Sequence, residues 1–320
     1  MTKTGPRAKQ AGRDPWRIGV LFSRSGLMAI TESEHFFGTA LAIEEINKAG
    51  GILGREIEVT AYDPGSLPET YRKMETVDAL GASLAASGLA DIASYEGHYA
   101  DAVRILEGGV AADSTAKNAD NAAEKLAGIA QLQLLRGQKG AAVAAATKAL
   151  SMSRAVPVRV LAARALLEAG EIAKAQKLAD GLASDVQPET QAYAKMIDGN
   201  LALRRGDKNA ATRMFSEANQ LLDTWIGRFE LGRAYLEAGQ FVEADSEFDK
   251  CIKRRGEVLE IFLDSVPTIA YFPPTYYYQG RVREGLKSPG FAEPYRTYLD
   301  IRGKAGEDPL LADIRRRLGR

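Results

Sequence analysis

The residues able to make or break bonds are few and scattered along the chain. His35 and His98 are the only histidines, and Cys251 is the only cysteine. Neither histidine has a cysteine or a carboxylate cluster at metal-ligand spacing, so no metal site is expected. Ser23-Arg-Ser-Gly26 supplies two hydroxyls beside a glycine, but the Gly-x-Ser-x-Gly of a nucleophile elbow is absent. Cys251 falls where other parts of the chain place Ala149 and Ala218, which is a packing role. The basic runs Lys250, Lys253, Arg254, Arg255 and Arg315, Arg316, Arg317 read as solvated helix ends favoured by the helix dipole. No catalytic constellation emerges. The chain reads as a non-enzyme without a cofactor.

Composition narrows the partners. The 320 residues carry 42 basic and 42 acidic side chains, a formal net charge of zero. Global charge therefore attracts neither nucleic acid nor a membrane surface. A single cysteine allows no internal disulfide and fits a reducing compartment. No run approaches the roughly 18 apolar residues of a membrane span. The first residues carry Lys3, Arg7, Lys9 and Arg13 without the apolar core of a secretory signal. A cytoplasmic protein is the expectation.

Candidate positions must be held by something, and that something repeats. Five glycines are each followed five residues later by alanine: Gly97/Ala102, Gly137/Ala142, Gly170/Ala175, Gly206/Ala211 and Gly239/Ala244. The glycines are 40, 33, 36 and 33 residues apart, the period of a helical-hairpin repeat. Glycine at the turn takes φ > 0 without a Cβ clash. Alanine where two helices cross lets them lie close.

The fifth unit is the clearest, with Leu231-Gly232, Tyr235, Gly239, Phe241, Ala244, Phe248 and Cys251. It resembles the tetratricopeptide (TPR) signature. The resemblance implies a concave surface lined by the first helix of each repeat, which reads a protein or peptide partner. Registering the repeats on their turn glycines puts Arg164, Asn200 and Arg233 at equivalent positions on three successive first helices. Leu134, Leu167, Leu203 and Leu236 form a second equivalent set, with Val160, Met196 and Phe229 beside them. An apolar floor with a polar ladder suits an extended or helical peptide. The candidate groove is thus Arg164, Asn200, Arg233, Leu167, Leu203, Phe229 and Leu236, with the ladder exposed. The same leucines equally fit packing between adjacent first helices. The lysine and asparagine arrangement of chaperone-tail-binding TPR domains is not reproduced.

The N-terminal part is different. Residues 1–15 are polar and read as a disordered tail. Residues 18–22 form a short apolar run, and Thr31 with Glu34 suggests a capping box opening a helix with Phe37, Leu41, Ile43 and Ile46 inward. Ala49-Gly50-Gly51 stops it, and residues 56–62 alternate as a strand with Ile57, Val59 and Ala61 on one face. Ser66 and Glu69 suggest a second box. From it the spacing of Met74, Val77, Leu80 and Leu84 predicts a near-continuous helix over 67–95. The order is β-α-β-α with parallel strands.

Ile18-Gly-Val-Leu-Phe-Ser23, Ala42-Ile-Glu-Glu-Ile-Asn-Lys-Ala-Gly-Gly51, Leu53-Gly-Arg-Glu-Ile-Glu58 and Asp63-Pro-Gly65 resemble type 1 periplasmic solute-binding proteins of the amide- and urea-receptor branch. The resemblance covers only residues 16–74. It implies residual small-ligand positions at Ser23, Ser25 and Gly26, on the loop after the first strand. A cleft with one wall is not expected to hold a small amide.

The stretches Phe272-Pro-Pro-Thr-Tyr-Tyr-Tyr-Gln-Gly-Arg281, Glu284-Gly-Leu-Lys-Ser-Pro-Gly290 and Asp308-Pro-Leu-Leu311 resemble the C-terminal TPR region of bacterial eukaryotic-type serine/threonine kinases. No kinase phosphate loop, catalytic loop or Asp-Phe-Gly is present, which a gene fusion explains. The expected architecture is mainly α: a disordered tail (1–15), a truncated βαβ fragment (16–75), and a TPR-type α-solenoid (76–320) of five clear repeats and a degenerate sixth. The expected function is a scaffold for a protein or peptide. The alternatives are a small-molecule sensor acting through the N-terminal fragment and a regulatory module of a separate kinase.

Overall fold

The computed structural model describes residues 14–22, 24, 29–63, 65, 68–259 and 269–319. The tail over 1–13, and Ser23, Ser25, Gly26 and Ser66, lie outside them. Two compact units part between Thr70 and Tyr71.

In the first unit, β1 (Trp16–Leu21) and β2 (Ile57–Tyr62) pair in parallel, with Trp16 opposite Ile57 and Leu21 opposite Tyr62. The crossover is α1 (Ala29–Lys48). Thr31 lies inside this helix and is not its cap. Gly50 and Gly51 take φ of 104° and 74°, which ends α1. Asn47 then ties the helix to β2. Its amide donates to the Ile57 carbonyl at 2.9 Å and accepts from the Ile57 N–H at 2.7 Å.

The inward face of α1 is not the expected one. Phe37, Leu41 and Ile46 are 65%, 58% and 36% exposed. Phe36, Ala40, Ile43 and Asn47 instead face Ile57, Val59 and Ala61. Those four positions follow the i, i+4, i+7, i+11 stripe of one helix face, and Phe37 and Leu41 sit about 100° round from it. The hydrogen bonds of Asn47 select that stripe over the more apolar one.

The expected continuous helix over 67–95 is two helices, α2 (Pro68–Met74) and α3 (Ala79–Glu96). Asp78 breaks it. Its carboxylate accepts from the Gly81 N–H at 2.7 Å, an N-cap that outweighs apolar periodicity at this point. The turn folds back so closely that a Cβ on Gly81 would stand 2.6 Å from the Met74 carbonyl oxygen.

The second unit is built from antiparallel helix pairs. They are α3 with α4 (Tyr99–Thr115), α5 (Ala119–Leu135) with α6 (Lys139–Met152), and α7 (Val156–Ala169) with α8 (Ile172–Ala183). After them come α9 (Pro188–Arg204) with α10 (Lys208–Leu221), and α11 (Trp225–Glu237) with α12 (Phe241–Lys253). A sixth pair, α13 (Pro274–Gly285) and α14 (Ala292–Arg302), precedes α15 (Leu311–Arg317).

All five turn glycines have positive φ, between 74° and 104°. All five alanines that follow them are fully buried. In the sixth pair Lys287 holds the turn at φ 54°, a strained stand-in for glycine. Inside the pairs, glycines on first helices admit aromatic rings from second helices. A Cβ on Gly199 would stand 2.7 Å from the Phe215 ring, and one on Gly280 2.5 Å from Tyr295.

The ends of this unit meet. Arg302, 1% exposed, donates to the carbonyls of Tyr95 (2.8 Å) and Ser94 (3.0 Å) on α3, and to that of Ala270 (3.0 Å). It also reaches the hydroxyls of Tyr99 (2.8 Å) and Tyr298 (3.2 Å) and the Asp308 carboxylate (3.2 Å). Tyr298 and Tyr99 donate to the same Asp308 oxygen at 2.6 and 3.2 Å. A buried guanidinium with this many acceptors is held ionised and fixed in place. The sixth repeat is thereby clipped to the first.

Candidate functional site

A cavity of about 640 Å³ lies between the first helices of repeats two to five and the C-terminal segment. Six of the seven expected groove residues line it: Arg164, Leu167, Asn200, Leu203, Phe229 and Arg233. Leu236 does not. It is 6% exposed and faces a separate hollow beside Gly239 and Phe241.

The registration explains more of the lining than the ladder used. Gln131 occupies in repeat two the place that Arg164, Asn200 and Arg233 occupy in the next three, and it faces the same cavity. One turn further along, Leu135, Glu168, Arg204 and Glu237 are also equivalent to one another, and all four line it. Two rows four residues apart on each first helix are what one helix face presents. The same glycine register would have shown the second row. The opposite wall carries Tyr271, Tyr277, Tyr278, Arg281 and Leu310. Its approach depends on the Arg302 clip, for which no local pattern exists.

The ladder is not the exposed one expected. Arg164 reaches Glu230 at 2.7 Å, and Arg233 reaches the other oxygen of Glu230 at 2.8 Å. The side chains of Arg164, Arg233 and Glu230 are 9%, 29% and 0% exposed. Burial by itself would raise the Glu230 carboxyl; the guanidiniums of Arg233 and Arg164 outweigh it and hold it below the usual range. Arg164 also lies 5.3 Å from the Tyr271 ring centre, and Arg233 lies 5.6 Å from that of Tyr278. Both distances are within cation–π reach. Asn200 donates to the Met196 carbonyl one turn back, at 3.0 Å. The two arginines are therefore structural members of a buried ion triad before they are anything else.

The charge available to a ligand sits elsewhere. Five cations line the cavity, Arg164, Arg204, Lys208, Arg233 and Arg281, against the carboxylates Glu168 and Glu237. Glu230 neutralises one of the buried arginines. Arg281 stands 3.5 Å from Glu237. Arg204 donates to the Glu168 backbone carbonyl at 2.8 Å and makes no ion pair among the described residues. Arg204 and Lys208 are exposed. The site thus has an ion-paired aromatic floor and a mixed rim in which the exposed cations Arg204 and Lys208 stand beside the exposed carboxylates Glu168 and Glu237.

The remaining candidates do not line this cavity. Cys251 is 1% exposed, its thiol pushed up by burial, and its carbonyl accepts from the Trp225 indole at 2.9 Å. His98 stands at the start of α4 with Nδ1 3.4 Å from Glu96. The His35 ring lies 6.1 Å from that of Phe22. Among the described residues no cluster of His, Cys, Asp and Glu could hold a metal ion. Among them, too, no helix is long and apolar enough to cross a membrane. In the first unit an open cleft of about 700 Å³ separates α1 from the sheet.

Comparison with solved structures follows the helices. The human IFIT1 dimer with PPP-AAAA superposes with a TM-score of 0.51 at 16% identity, over 77% of this chain and 56% of that one. The hetero-tetramer Cut9-Hcn1 gives 0.46 at 14% identity, over 79% of this chain and 42% of that one. A tetratricopeptide repeat protein from Parabacteroides merdae gives 0.35 at 14% identity, over 79% of this chain and all of that one. This chain spans about half the length of the first two. The second unit is a TPR-type α-solenoid. Residues 16–80 match a periplasmic binding protein domain, so the N-terminal likeness extends six residues beyond the stretch read from sequence. These likenesses do not show the kinase link expected for the C-terminal segment.

Proposed function

We propose that this chain is a non-enzymatic TPR scaffold that binds a short acidic peptide segment of a protein partner in the cavity between repeats two to five and the C-terminal segment. One observation carries the reading. Equivalent positions on four successive first helices converge on a single space of about 640 Å³. That size is typical of a ligand site. It also limits the guest, because an α-helix roughly 10 Å across would fill it within about two turns. An extended segment of a few residues fits better. Of the exposed charges lining it, Glu237 is paired with Arg281, and Arg204 with Lys208 outnumber Glu168, which favours carboxylates over ammonium groups.

The cleft in the first unit supports a small-ligand reading less well. Asn47, its central polar side chain, already spends both its amide groups on the Ile57 backbone. The test is equilibrium binding of the full chain to an array of eight-residue peptides of graded charge. Acidic members should bind and their lysine counterparts should not, and Arg204→Glu with Lys208→Glu should abolish the preference. Equal retention of acidic and basic peptides, or displacement of every peptide by single-stranded RNA alone, would refute it.

A further inference from the structure

The part of the groove that crosses repeats three to five is not empty: the chain's own Tyr271 occupies it. Tyr271 stands on a single 3-10 turn, Ile269–Tyr271, between repeats five and six. Its ring shares a small apolar space with Val160, Arg164, Tyr193, Met196 and Ile226, which belong to three successive first helices. Val160, Arg164 and Met196 are among the positions that the glycine register assigns to the groove. The ring centre is 5.3 Å from the Arg164 guanidinium carbon.

The backbone on either side is pinned. The Ala270 carbonyl accepts from Arg302 at 3.0 Å, and Phe272 packs on Trp225 with ring centres 6.3 Å apart. Pro273 and Pro274 follow and open α13. An aromatic side chain on a short irregular stretch, followed by prolines and seated across three first helices, has the contacts of a bound peptide rather than of an inter-repeat loop.

We propose that residues 269–273 are an internal plug, and that the partner segment carries a tyrosine which takes the place of Tyr271 against Arg164. The proposal rests on the groove reading and adds the identity of its anchor residue and its regulation. Apparent affinity for such a partner is reduced by the fraction of molecules in which the plug is seated.

The probe is a fluorescein-labelled peptide with the sequence of residues 268–275, Thr-Ile-Ala-Tyr-Phe-Pro-Pro-Thr, titrated into the full chain and into Tyr271→Ala. The expected result is binding to Tyr271→Ala at least tenfold tighter than to the unaltered chain. Replacing the peptide's tyrosine by alanine should abolish it. In parallel, p-cresol should raise the melting temperature of Tyr271→Ala and leave the unaltered chain unchanged. Where Tyr271→Ala is unfolded at the working temperature, recovery of its helical signal by p-cresol is the supporting result. Equal peptide affinity for both chains, or a Tyr271→Ala chain that takes neither peptide nor p-cresol, would overturn the proposal. If the plug peptide binds Tyr271→Ala but no foreign peptide binds the unaltered chain, the plug stands and the groove reading falls. If foreign acidic peptides bind both chains equally and need Arg204 and Lys208, the groove reading stands and the plug falls.

Discussion

Glu230→Gln tests the buried triad on which the site is built. Glu230 is fully buried and is the carboxylate that joins Arg164 on α7 to Arg233 on its own helix, α11. The amide keeps the shape and removes the charge. Arg164, 9% exposed, then stays cationic with only the Tyr271 ring and the more distant Glu168 to answer it. Breaking a buried pair from one side costs about 3–5 kcal/mol. Arg233, at 29% exposure and stacked near Tyr278, recovers part of its hydration, which places the effect at the lower end. About 3 kcal/mol in a unit of this size lowers the melting temperature by roughly 6–12 °C. Circular dichroism at 222 nm with a parallel urea titration reads both quantities. Arg164→Met combined with Glu230→Leu should recover part of the loss, since apolar replacement of a buried pair is often neutral and only the partly exposed Arg233 is left unpaired. A Glu230→Gln chain within about 0.5 kcal/mol of the unaltered one, the range of ordinary surface changes, would show that the triad is solvated and the reasoning wrong.

Other perturbations separate the remaining parts. Arg302→Lys keeps a charge but cannot reach six acceptors, so hydrogen exchange in residues 292–310 and 94–99 should accelerate ahead of α7 and α9; uniform exchange across the unit would contradict the clip. Burial would raise the Asp313 carboxyl, but hydrogen bonds from Arg317, Arg316 and Tyr277 bring it from 3.8 to about 2. A depressed carboxyl contributes stability above its unfolded value that is lost as pH falls through the folded one. Melting temperature should therefore drop between about pH 4 and 2, and Asp313→Asn should flatten that drop. Gly199→Ala places a Cβ against the Phe215 ring and should cost about 1–3 kcal/mol by urea titration, with Gly140→Ala, which meets nothing, as the control.

How far the sequence reaches depends on range. The five repeats were legible because Gly97, Gly137, Gly170, Gly206 and Gly239 must adopt positive φ and the alanines beyond them must be small, and both constraints are local. The same register sets Arg164, Asn200 and Arg233 at equivalent positions, and all three line one cavity. Their burial is not legible there, because Glu230 on α11 pairs with Arg164 on α7, a helix more than sixty residues away in sequence. Arg302 lies 203 residues from Tyr99, and nothing near either residue announces the partnership. The face of α1 and the break at Asp78 were misread for a shared reason. In each, one polar side chain, Asn47 or Asp78, satisfied backbone groups that apolar periodicity does not count.

Occupancy of the cavity between the first helices and the C-terminal segment by a peptide is read out by site-specific photo-cross-linking. A benzophenone side chain replaces Leu135, which lines the cavity, or Val242, which is 68% exposed on a second helix. Each protein is irradiated with the tightest acidic peptide from the array. A peptide seated in the cavity gives a covalent adduct from position 135 that excess unlabelled peptide suppresses, and none from position 242. An adduct at 242 with none at 135 would place the partner on the outer face and contradict that seating.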